Sequence, residues 1–139
     1  MKQNPLVPVL YCSSLTDSMS FYIDKLGFSI VYERPEAKFC FLIRDGAQLM
    51  LEEVGADKQW HTADLERPFG RGINMQFMTT HVTKLFESLV KAEQIFFAPL
   101  EEKHYRRTED TVVCRQFVIQ DPDGYLLRFS EAIATKPNV

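Results

Sequence analysis

Three histidines, three cysteines and a spread of carboxylates are the side chains of this 139-residue sequence that could do chemistry. A metal site needs three or more converging N, O or S donors, and a nucleophile needs a base beside it. His61 and His104 lie in polar connections and His81 lies near a helix start, so each reads as a surface or locally hydrogen-bonded residue. No His/Glu pair has zinc-protease spacing, and no serine stands in a Gly-x-Ser-x-Gly elbow. Cys12, Cys40 and Cys114 sit in apolar surroundings; Cys114 precedes Arg115, but strand alternation sends neighbours to opposite faces. Packing is expected of all three. Their odd number and wide spacing imply no disulfide framework.

The aromatic set is the other resource: 11 Phe, 5 Tyr and 1 Trp. A core absorbs many rings, but so small a chain has some left to line a groove. Trp60 and Tyr105 stand out because both lie in polar connections where a large ring has no local packing reason. Phe41 and Phe117 lie on strand segments, where a ring serves either the groove or the core. The stretch 101–107 mixes acids, a ring and bases, and reads as a solvated hairpin or as a lid over a site.

Composition narrows the partners. Lys and Arg number 16 and Asp and Glu 19, a net charge of −3 that argues against nucleic acid as the main partner. No apolar run approaches the roughly 20 residues of a membrane helix. Residues 1–15 lack the basic start and apolar core of a secretion signal. With 45% hydrophobic and 25% charged residues, the expectation is a self-folding, soluble, cytoplasmic protein with neither a nucleic-acid nor a membrane partner.

The elements that must position these residues come in two rounds. Segment 6–12 is β-branched and aromatic and reads as a strand, edge-like because of Pro8. Leu15, Met19, Tyr22, Ile23 and Leu26 recur at helical spacing, with Thr16 as N-cap and Gly27 as the stop. Strands 28–32, 39–43 and 49–51 follow, the last two joined by Arg44-Asp45-Gly46. The second round has a strand over 73–78, then a helical stripe through Val82, Leu85, Phe86, Leu89 and Val90, with Thr79 or Thr80 at its start. Strands over 95–97, 112–119 and 125–129 complete it, the last two joined by the turn Asp121-Pro122-Asp123-Gly124. Two βαβββ modules, 5–53 and 72–131 with connector 54–71, therefore predict one α+β domain over 1–139: an incomplete barrel or cup with helices outside and a frayed tail from 136.

Ser18-Met19-Ser20-Phe21-Tyr22, Leu26-Gly27-Phe28 and the final Asp121-Pro122-Asp123-Gly124-Tyr125-Leu126-Leu127-Arg128-Phe129 resemble signatures of the vicinal oxygen chelate superfamily of glyoxalases, dioxygenases and bleomycin-resistance proteins. Residues 71–77 and Arg115-Gln116-Phe117 look most like its bleomycin-resistance branch. The resemblance implies a homodimer, and for the enzymes a divalent metal held by the first and last strand of each module. Here those positions fall on Val7, Gly72, Met50 and Arg128, with Glu52 on the face of Met50. One carboxylate does not hold a catalytic metal, so neither a metal nor another cofactor is expected.

In module two, Ile73, Met75 and Phe77 suit the helix side, which turns Asn74 and Gln76 to the cup. Glu52 and Arg128, if both line the cup, form an ion pair or bind a polar ligand. The expectation is non-catalytic binding and sequestration of a small drug or metabolite. Its ligand is flat or amphipathic, cationic compounds included. The proposed contacts are Glu52, Arg128, Asn74, Gln76, Trp60, Tyr105, Phe117 and Phe41, with Glu101 or Glu102 supplying charge. The alternative is a metal-dependent lyase, isomerase or dioxygenase using Glu52, Gln48, Asn74 or Gln76.

Overall fold

The structure is a computed structural model that describes residues 2–55 and 60–138. The first half runs β1 (Val9–Cys12), α1 (Leu15–Met19), a π-helical continuation (Ser20–Lys25), β2 (Ser29–Arg34), β3 (Phe39–Arg44) and β4 (Ala47–Glu53). The second runs β5 (Asn74–Met78), α2 (Val82–Lys91), β6 (Phe96–Arg106), β7 (Asp110–Gln120) and β8 (Leu126–Pro137). Each half makes a four-stranded mixed sheet, ordered β1-β4-β3-β2 and β5-β8-β7-β6. In both, the strand before the helix pairs parallel with the last strand, and the other pairs are antiparallel. A helical crossover makes the parallel pair possible; the hairpins supply the rest. The α+β class and the doubled βαβββ order are thus observed.

Two compact units result: residues 1–69 with the turn 121–124, and residues 70–120 with 125–139. In the first, alternation buries Leu10, Cys12, Cys40, Leu42, Leu49 and Leu51. The helical segment adds Tyr22 and Leu26, and Phe21, Tyr22 and Phe28 meet edge-on at 5.4 Å. In the second unit, Phe117 and Phe129 stack at 5.4 Å, Phe77 stacks on Phe129 at 5.0 Å, and Phe86 of α2 lies 5.8 Å from Phe117. Most of the aromatic surplus is therefore core, where each buried ring contributes about 2 kcal/mol of apolar burial.

The helix starts differ from expectation in a way that repeats. Ser14, not Thr16, caps α1, accepting from the Asp17 amide. His81, not Thr79 or Thr80, precedes α2, in a left-handed conformation and with no capping side-chain bond. In both halves a glutamate from the last strand does the work: Glu53 Oε1 accepts from the Leu15 amide at 2.9 Å, and Glu131 Oε1 from the Val82 amide at 3.0 Å. A carboxylate there satisfies an amide the helix leaves unpaired and meets the positive end of its dipole.

Two further corrections concern length. The stretch 101–107 is no loop: β6 runs to Arg106, with Glu101, Lys103 and Tyr105 opposite Gln116, Cys114 and Val112, so it is not a hinged lid. Nor is the end of the chain frayed at 136, since Lys136 and Pro137 pair with Thr111 and Asp110.

Turn 121–124 is held by its own carboxylates. Asp121 accepts from the Tyr22 hydroxyl at 2.9 Å, while Asp123 accepts from the Ser13 amide at 3.0 Å and from the Ser13 hydroxyl, and pairs with Arg67 at 3.0 Å. Both aspartates are buried. Gly124 has φ +101°, and a β-carbon there would meet Pro68 at 2.5 Å. Only glycine fits.

Candidate functional site

On β8, Leu127 and Phe129 turn to the core, so Arg128, Ser130 and Ala132 share the other face. Register brings Gln76 and Met78 of β5 opposite Arg128 and Ser130, and Cys114 of β7 opposite Ala132. Tyr105 of β6, opposite Val112, and Arg107 close the far side. These residues line an open cavity of about 400 Å³, within the range of small-molecule sites.

The polar groups in it are unequally engaged. Arg107 is forked onto Asp110, Nε to Oδ1 at 2.5 Å and Nη2 to Oδ2 at 2.6 Å, which holds the Asp110 carboxyl below its usual range. Tyr105 donates to Gln116 Oε1 at 2.9 Å, fixing the ring, and the Gln76 amide donates to the weakly accepting Met78 sulfur, at 3.2 Å. Arg128 Nε is buried with no hydrogen-bond partner among the described residues. Such an orphan costs about 1–3 kcal/mol, more when charged.

Of the eight side chains expected at a site, the structure brings Arg128, Gln76 and Tyr105 together here. Asn74 is exposed on the face of Gln76 but outside the cavity. Phe117 is fully buried between Phe86, Phe96 and Phe129, as core and not cavity wall. Glu52 and Phe41 belong to the first unit, on the sheet face they share with Met50. Phe41 is 1% exposed and meets Tyr32 edge-on at 5.2 Å. Trp60 is 89% exposed, its backbone amide donating to the Tyr11 hydroxyl. Glu101 lies near Lys103 at 3.7 Å, and Glu102 near His104 at 3.4 Å. Sequence reasoning missed Met78, Ser130 and Ala132, which strand alternation carried past Phe129 would have found, and Arg107, Val112 and Cys114, which needed the β6–β7 register.

Residues 4–129 match the Glyoxalase/Bleomycin resistance protein/Dioxygenase superfamily. The chain belongs to this superfamily. A superfamily member from Vibrio splendidus 12B01 is 36% identical over 90% of this chain and 96% of its own, with a TM-score of 0.41. A protein of the mobile metagenome of V. Pseudocholerae shares the fold at 17% identity, TM-score 0.72, covering 96% of this chain and 98% of its own. So does a glyoxalase/bleomycin resistance protein/dioxygenase from Alicyclobacillus acidocaldarius, at 18% identity, TM-score 0.63, covering 96% of each chain. No match was found among curated proteins.

Superfamily enzymes' use of a divalent metal makes donor chemistry the test. The paired first and last strands place Val9 opposite Met50 and Gln76 opposite Arg128. Val, Met and a guanidinium offer no hard donor, which leaves the Gln76 carbonyl as the one such oxygen among these four residues, and a cation beside it repels a metal ion. Among the described residues no three His, Cys, Asp or Glu side chains cluster as a metal site would. Burial pushes the Cys12 thiol up to about 12 and Cys40 up to about 11, so neither forms a thiolate at neutral pH. Among the described residues no helix is long and apolar enough to cross a membrane.

Proposed function

We propose that this superfamily member binds a small molecule in the cavity between β5, β8, β7 and β6 and sequesters it unchanged, in the manner of bleomycin-resistance proteins. The observation that carries the reading is the donor set. Arg128, Gln76 and Tyr105 recognise by hydrogen bonding and ring contact, and the lining holds no imidazole or carboxylate to serve as a general base among the described residues. Met78, Val112 and Ala132 give the apolar wall that removes a ligand's carbon skeleton from water. The resemblance of residues 71–77 and 115–117 to the bleomycin-resistance branch supports the same reading.

Drug resistance, a cytoplasmic setting and a homodimer go with this proposal. Isothermal titration with bleomycin tests the drug directly: heat with quenched aromatic fluorescence would make it a ligand, and no heat at high micromolar concentration removes that ligand. Metal analysis of protein purified without chelator tests the mode. Stoichiometric Zn, Ni, Mn or Fe would favour an enzyme with unorthodox ligands.

A further inference from the structure

We propose that the ligand is an amphipathic anion, its oxyanion head bound by Arg128 and Gln76 and its apolar body laid along Met78, Val112 and Ala132. The inference rests on the reading that this cavity is the ligand site, and adds the ligand's charge. Two guanidinium groups and no carboxylate line the cavity. Asp110 engages the Arg107 fork, so the cation left for a ligand is Arg128. Its Nε is buried without a partner among the described residues, and opposite it stands Gln76, whose amide meets the weakly accepting Met78 sulfur. A planar cation with an unused donor is complementary to a carboxylate or phosphate oxygen, and a charge-assisted bond shielded from water is the strong kind. Glu101, on the same sheet face, lies near Lys103 and outside the cavity, so it does not compete for Arg128. A cationic ligand, which the sequence allowed with Glu101 or Glu102 supplying charge, meets the wrong sign here.

The test uses four six-carbon probes of one shape and different heads: hexanoate, hexyl phosphate, hexanol and hexylammonium. Each is titrated against the full chain and its Arg128→Met and Arg128→Gln variants at low salt, with melting temperature followed in parallel. The two anions should bind about tenfold or more tighter than hexanol, hexylammonium should bind weakest, and both variants should erase the preference. Because the substitutions remove an unpaired buried donor, the variants should melt no lower than the parent. A role for Arg128 in holding the fold would lower the melting temperature instead, and would overturn the proposal. So would equal binding of hexanol and the anions, or anion binding unchanged in both variants. If hexanol binds as well as the anions, the anion inference fails while small-molecule binding stands. If none of the four binds the parent at millimolar concentration, the inference also fails, and the sequestration reading is then judged by what co-purifies with the protein.

Discussion

Arg128 shows what one side chain can decide. Opposite Gln76 on the last strand, it sets a cation and hydrogen-bond donor, and no metal donor, in the cavity wall. Arg128, Gln76 and Tyr105 were legible because two of them sit at alternating strand positions beside obvious core residues and the third is a ring among charges. Phe117 was not, since a phenylalanine between Gln116 and Val118 suits either face until the position of Phe86 is known. The cysteines give a test at this scale. Cys12 and Cys40 are completely buried, with thiols raised far above neutral, so iodoacetamide at neutral pH should leave both unmodified in the folded protein and label them after denaturation. Peptide mapping checks this, and labelling of either at the rate of a free thiol would contradict the buried assignment.

At the scale of elements, strands and helices were legible where hydrophobic period spoke and illegible where charge masked it. Strand β6 carries charges on both faces through 101–106, because its order comes from pairing with Val112, Val113 and Cys114 and not from its own pattern. The cap of α2 was misread because its oxygen comes from Glu131 on a distant strand; that of α1 is the local Ser14, two residues before Thr16, with Glu53 added from β4. The bond from the Leu15 amide, with Lys38 at 2.9 Å behind it, holds the Glu53 carboxyl below its usual range. A carboxyl depressed on folding contributes stability that is present above its unfolded pKa, near 4.3, and is lost as pH falls through the lower folded value. Glu53→Gln should therefore lower the melting temperature at pH 7 and make no difference in strong acid, and a deficit independent of pH would show that the charge is not responsible. The turn gives a steric counterpart. Gly124→Ala would push a methyl into Pro68 at a positive φ, so it should cost about 2 kcal/mol or more in denaturant unfolding; a neutral effect would mean the turn relaxes freely.

For the whole molecule, the repeat was legible because both rounds carry the same order of periods and the same hairpin punctuation, and the sheets keep it down to the register: Met50 opposite Val9, Arg128 opposite Gln76, Glu53 and Glu131 on the helix amides. The cavity was only partly legible, because it depends on a strand pairing that carries no sequence signal of its own. Its lining, which mixes apolar side chains with hydrogen-bonding ones, is the reason to regard the protein as a binder. Ala132 lies exposed at the cavity wall, where a large ring would fill the space without entering the core. Native mass spectrometry of freshly purified protein and of Ala132→Trp tests this directly. The parent should carry a small molecule, one per chain, released intact on denaturation, and the filled variant should be bare. A bare parent, or a variant that carries the same mass, would contradict the account.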